Sequence, residues 1–214
     1  MDVLEAIRTR VSVRRYKPDP VPEAMIETVL GAACRAPSGA NQQPWRFIVI
    51  RNPDTKRMIG EISVKGGAAL ISPKVAERVV RSYRISDPER RRAVIQSMVT
   101  GSRYRFIGEV PVLIAACADT SVSPRTYMLD TSAAIENMLL AAHGLGLGAC
   151  WTMVALLNPS DEAGVKRILG VPNHVKVVAI VTLGFPSRVP RPRPRKGLGE
   201  VTFYERYGQT SPRS

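Results

Sequence analysis

The chain has 214 residues, 44% of them apolar and 23% charged, which suits one soluble globular domain with a core of its own. No apolar run approaches the ~20 residues of a membrane span, and acids at Asp2 and Glu5 stand where a secretory signal carries bases, so a cytoplasmic protein is expected. Lysine and arginine number 31 against 18 acids, a net charge of +13, yet only six Tyr, four Phe and two Trp are available, few for a base-stacking platform; this argues against nucleic acid and for an anionic cofactor or substrate.

In chain order, Asp2 caps a first helix whose apolar positions are Leu4, Ile7 and Val11. A proline-punctuated connector, Arg15 to Pro20, leads to a second helix opening at Pro22 with a stripe of Met25, Ile26, Val29, Leu30 and Ala33. The turn-rich loop Ala36–Trp45 follows, and then a strand, Phe47–Ile50, predicted to be buried on both faces. Pro53 opens a short helix to about Ile62. Residues 63–108 are broken by Gly66-Gly67, Pro73 and Pro88, carry weak helical patterns over Val75–Tyr83 and Glu89–Val99, and are rich in arginine, Arg78, Arg84 and Arg103 among them. Val110–Cys117 is the next buried strand.

Thr126–His143 is the strongest helix pattern, with Leu129, Ala133, Met138, Leu139 and Ala142 apolar and Gly144 as its stop, and its small residues imply tight packing on another helix or a subunit. A glycine-rich connection, Leu145–Thr152, leads into a short extended run; Asn158-Pro159 opens a helix to Leu169; and Lys176–Leu183 is the last strand. Beyond Pro186 the chain is rich in proline and arginine, an extended arm. The pattern is an α+β fold in one domain, 1–214, without repeats.

Two segments carry chemistry. Arg10-Val11-Ser12-Val13-Arg14 places two guanidinium groups and a hydroxyl within five residues, donors that match the oxygens of a phosphate, although a solvated helix end has the same look. Pro37-Ser38-Gly39-Ala40-Asn41-Gln42-Gln43-Pro44-Trp45 offers side-chain donors and acceptors on a loop of small residues, suited to the polar edge of a flat heterocycle. The glycine-rich Leu145–Thr152 is no dinucleotide fingerprint, because it does not open a helix after a strand. Cys34, Cys117 and Cys150 lack zinc-ligand spacing and read as reduced core thiols. His143 and His174 are the only histidines, and neither belongs to a nucleophilic arrangement; a redox protein needs none, since its cofactor carries the electrons.

In these blocks the chain resembles the nitroreductase-like FMN oxidoreductases, in family order: Arg10–Arg14, Ala36–Trp45, Gly144–Thr152, and Val177–Pro186 with Arg195-Lys196 after it. Val11 stands where the family commonly has a second arginine, and Gly197 where it has proline. The resemblance implies a three-layer fold with a central mixed β-sheet flanked by helices, a homodimer with FMN at the subunit interface, and NADH or NADPH as donor. It places Arg10, Ser12 and Arg195 on the FMN phosphate and ribityl oxygens, with Val11 in the same segment. Arg14 falls at the flavin N1/O2 edge and the backbone of Trp151, Thr152 and Met153 beside the ring near N5. Pro37, Ser38 and Asn41 reach the flavin from the other subunit. Residues 63–108 become a variable lid and 187–214 an arm on the partner. The activity implied is ping-pong reduction of nitroaromatics, quinones or similar acceptors, with no protein side chain as catalyst. Reductive dehalogenation of the iodotyrosine-deiodinase type is the alternative inside the family, without the Tyr, Glu and Lys clamp expected of that branch. A basic FMN- or nucleic-acid-binding protein without turnover is the alternative outside it.

Overall fold

The computed structural model describes residues 1–82 and 85–210; Tyr83 and Arg84, from the arginine-rich stretch, and 211–214, the end of the predicted arm, lie outside the described residues. Four strands, β1 (Trp45–Ile50), β2 (Val112–Asp119), β3 (Gly148–Thr152) and β4 (Val175–Gly184), pair in the order β1-β2-β4-β3, antiparallel throughout. The mixed character expected of the sheet comes from a parallel bridge, Ser12 with Ala149, that adds the N-terminal segment along β3.

Central β2 and β4 are covered on both faces, so they read as continuous apolar runs. Val112, Ile114, Ala116 and Ala118 face one apolar cluster, while Leu113, Ala115 and Cys117 face the other. The register of β4 slips by one residue opposite Ala116/Cys117, leaving Val178 as the extra residue of a bulge. The slip re-phases the strand: Val175 and Val177 before it and Ile180 after it serve one cluster, while Ala179, Val181 and Leu183 serve the other. Edge strand β1 departs from expectation. Its middle residues Phe47, Ile48 and Val49 are only half-buried, because one flank has no neighbouring strand.

On the first face lie α2 (Glu23–Ala33) and α7 (Tyr127–Gly144), which pack on each other through Ile26, Val29, Ala33, Ala134, Ile135 and Met138. The short α1 (Val3–Thr9) sits on α7, with Thr9 Oγ1 2.8 Å from His143 Nε2. Its predicted stripe is turned outward: Ala6 is buried, whereas Leu4 and Ile7 are exposed. Met128 and Leu129 at the start of α7 are exposed as well.

The second face carries α3 (Pro53–Leu70), α6 (Phe106–Glu109) and α8 (Pro159–Leu169). Helix α3 runs 18 residues, eight beyond the predicted end at Ile62, straight through Gly66-Gly67. The glycines are there for contact: a Cβ on Gly66 would lie 2.3 Å from the Val154 carbonyl oxygen, and one on Gly67 2.2 Å from the Tyr104 ring. Helices α4 (Pro73–Ser82) and α5 (Pro88–Val99) enclose a small apolar cluster of their own around Ala76, Val80 and Met98, outside the two sheet faces. None of the described helices is long and apolar enough to cross a membrane. After β4 the chain is extended and exposed to Lys196, then makes the one-turn α9 (Leu198–Val201).

Candidate functional site

The segment after α1 is laid along β3 by a close approach of backbones. Val13 N donates to the Ala149 carbonyl at 3.0 Å, and Gly148 makes this possible, since a Cβ there would sit 2.7 Å from Val13 Cβ. Three residues later Tyr16 locks the segment to β4: its hydroxyl donates to the Val13 carbonyl at 2.6 Å and lies 2.6 Å from Thr182 Oγ1. Burial drives the Tyr16 hydroxyl well above its usual range, so it stays a neutral donor. Val13 is the buried anchor of this segment, while Arg10, Val11, Ser12 and Arg14 are left at the surface of one cavity.

The returning chain completes that cavity. Lys17 N donates to the Phe185 carbonyl at 2.8 Å and Ser187 N to the Arg15 carbonyl at 3.0 Å, which aims the proline-rich stretch past the N-terminal segment. Arg191, Arg193 and Arg195 line the same space of about 830 Å³, with Arg103 from the turn before α6 and Glu136 from α7. Arg10 Nε lies 3.4 Å from Glu136 Oε1. Cys150, next to Ala149 on β3, is a buried thiol that burial pushes up and that Arg14 and a hydrogen bond with Ser12 draw partly back.

Of the residues predicted for the site, Arg10, Val11, Ser12, Arg14 and Arg195 therefore meet, although 181 residues separate Ser12 from Arg193 and the arm beyond it. Trp151, Thr152 and Met153 do not line this cavity. They continue β3 beyond Ala149, with Thr152 about 10 Å along the strand at a rise of ~3.3 Å per residue. Trp151 and Thr152 are half-buried, Met153 is exposed, and Thr152 Oγ1 accepts from Val154 N at 3.3 Å.

Pro37, Ser38 and Asn41 are also outside the cavity. Their loop is a built object nonetheless. Ala40, Asn41 and Gln43 all have positive φ, 49°, 56° and 48°, a conformation that side chains other than glycine adopt at a cost. Ser38 Oγ accepts from Gln43 N at 3.0 Å, and Gln43 Nε2 donates to Asn41 Oδ1 at 3.0 Å. Asp130 of α7, buried, fixes the loop from behind: it accepts from Gly39 N at 3.2 Å, from Ser123 Oγ at 3.1 Å and from Thr126 Oγ1 at 2.9 Å. The sequence does not announce Asp130 or Glu136, because each acts on a segment about a hundred residues or more away. Removing the carboxylate strands three donors, so Asp130→Ala is expected to lower stability by about 2–3 kcal/mol. Denaturant unfolding checks the size, and Asp130→Asn, which keeps one acceptor oxygen, is expected to recover part of it.

The molecule is an α+β protein, a helix-flanked antiparallel sheet with an arginine-lined cavity beside its β3 edge, and guanidinium groups are donors that match the oxygens of a phosphate. The chain belongs to the nitroreductase family, whose model matches residues 7–185. It is 34% identical to an NADH dehydrogenase of Thermus thermophilus over 95% of this chain and 96% of that one. Identity is also 34% with an NADH dehydrogenase/NAD(P)H nitroreductase of Methanothermobacter thermautotrophicus, over 90% of this chain and 82% of the relative. Among solved structures, a nitroreductase with bound FMN from Bacteroides fragilis superposes with a TM-score of 0.64 at 26% identity, covering 96% of this chain and all of that one.

Proposed function

We propose that the protein is an FMN-dependent oxidoreductase that oxidises NADH or NADPH and passes the electrons to a nitroaromatic, a quinone or a similar electron-poor acceptor in ping-pong order. The observation that carries this reading is the convergence of Arg10, Ser12, Arg14 and Arg195 on one cavity beside β3. The residues fit the cofactor: guanidinium groups and a hydroxyl for the phosphate, and a space of about 830 Å³, within the usual ~300–1,000 Å³ of ligand sites. Membership of the nitroreductase family and the names of both relatives support it.

Bound FMN supplies the hydride chemistry, and the chain supplies position and field. Arg10 and Arg195 would hold the FMN phosphate, and Ser12 would donate to a phosphate or ribityl oxygen. Arg14 would supply a cation to the N1/O2 edge, where a positive charge favours the reduced flavin. The backbone of Trp151–Met153 would flank the ring. Tyr16 keeps these two parts in register through Val13 and Thr182.

The same reading makes the protein a homodimer. Pro37, Ser38 and Asn41 lie off the cavity of their own chain, on an exposed loop held rigid by Asp130, as suits residues lent to the partner's flavin. Leu4, Ile7, Met128 and Leu129, and Leu198 on the arm, are apolar side chains left exposed, the surface a partner subunit covers. The chain acts as one flavin-binding domain, 1–214, with 63–108 covering the slot and 187–214 wrapping the partner. Sedimentation with an FMN fluorescence titration tests this. A dimer taking one FMN per chain is the expected result; a monomer that leaves added FMN free overturns it.

A further inference from the structure

The FMN phosphate answers only part of the charge in the arginine cavity. Three arginines are engaged by the reading above, which this inference rests on: Arg10 and Arg195 at the phosphate and Arg14 at the flavin edge. Arg8, Arg103, Arg191 and Arg193 line the same cavity. Leaving Arg193 out of the count, six arginines stand against one carboxylate, that of Glu136, among the described lining residues, an excess of five positive charges. A phosphate monoester brings about two negative charges and three acceptor oxygens. With the cofactor seated, the cavity is still several charges positive, and a concave site of one sign concentrates further anions.

Arg103 is mounted rather than loose. Its turn, Ser102–Tyr104, is entered through Gly101 at φ 68°, which packs so closely on α3 that a Cβ would meet the Val64 carbonyl oxygen at 1.9 Å. Its guanidinium lies 5.7 Å from the Tyr104 ring centroid, and Tyr104 in turn packs on Gly67. Arg103 is half-buried, unlike the exposed Arg191 and Arg193 of the arm that faces it across the cavity. A cation brought in from α3's flank and two from the proline-restricted arm make a second cluster, separate in the chain from Arg10 and Arg14.

We propose that Arg103, with Arg191 and Arg193, forms a second phosphate site, and that its ligand is the ribose 2′-phosphate of the nicotinamide donor. The protein then prefers NADPH to NADH. The two donors differ only by that dianionic monoester, and arginine is the side chain whose planar donor fork matches it, as in other NADP sites.

The test uses the FMN-loaded protein and compares kcat/KM for NADPH and NADH at low salt. The expected ratio is at least about tenfold in favour of NADPH, the size of one charge-assisted contact. It is expected to shrink toward one near ~0.5 M salt, where the Debye length is only a few ångströms. In Arg103→Gln the ratio is expected to fall about fivefold or more, with the bound-FMN absorption bands retained. In the wild-type protein adenosine 2′,5′-bisphosphate is expected to compete with NADPH at concentrations where adenosine 5′-monophosphate does not, a measurement independent of any variant. Equal use of both donors at low salt, or a ratio untouched in Arg103→Gln and Arg191→Gln alike, overturns this inference alone. Arginine-dependent KM for a carboxylated nitroaromatic, with equal donor use, assigns the cluster to the acceptor and overturns it too. Failure of both donors to reduce the FMN-loaded protein instead defeats the underlying reading.

Discussion

Gly66→Ala is expected to destabilise the protein by about 3 kcal/mol, against the helix propensity that favours alanine by ~1 kcal/mol. The new Cβ lies 2.3 Å from the backbone oxygen of Val154, which cannot swing aside as a side chain does. Helix α3 has to shift, or the turn Val154–Leu156 has to, and that turn begins directly after Met153 beside the proposed ring site. Weaker FMN binding is therefore expected along with the lower denaturant midpoint. Gly31 of α2 is the control. Nothing lies within 4 Å of a Cβ there, so Gly31→Ala is expected to be neutral or to stabilise by up to ~1 kcal/mol. Opposite signs for one substitution in two helices isolate the contact from the propensity; equal effects would remove the packing explanation.

The second large effect concerns Arg14. Arg14→Ala is expected to weaken FMN binding about tenfold or more, the loss of one charge-assisted contact, and to slow flavin reduction as well. Arg14 is exposed along the cavity lining, and its charge draws the Cys150 thiol partly back down from the level to which burial pushes it. Loss of phosphate contacts at Arg10 or Arg195 is expected to reduce affinity alone, whereas Arg14 also faces charge that grows during the reaction. Stopped-flow reduction and fluorescence titration separate the two, and an unchanged affinity with an unchanged rate in Arg14→Ala would sink its assignment.

Two parts of the candidate site were legible because each is local. Arg10–Arg14 and Pro37–Trp45 each fit within ten residues, and the four strands stand out as apolar runs at β2 and β4 or after turn signals at β1 and β3. What escaped was non-local. Gly66-Gly67 looks like a helix break until Val154 and Tyr104 are seen pressed against it. The outward turn of Leu4 and Ile7 on α1 has the same spacing as an inward one; only the packing of Ala6 decides it. Asp130 lies 91 residues from the Gly39 amide it holds, and Glu136 lies 126 residues beyond Arg10 in the chain. The second arginine cluster depends on where a proline-rich arm turns, a direction set by the hydrogen bonds of Phe185 and Ser187 to the Tyr16 flank.

The most direct test of the central claim is an anaerobic absorption titration of the FMN-loaded protein with NADPH and with NADH. Bleaching of the flavin bands by at least one donor, and their return when a nitroaromatic or quinone is added, is the result predicted. Flavin bands that stay unchanged under both donors, with FMN bound, would contradict it.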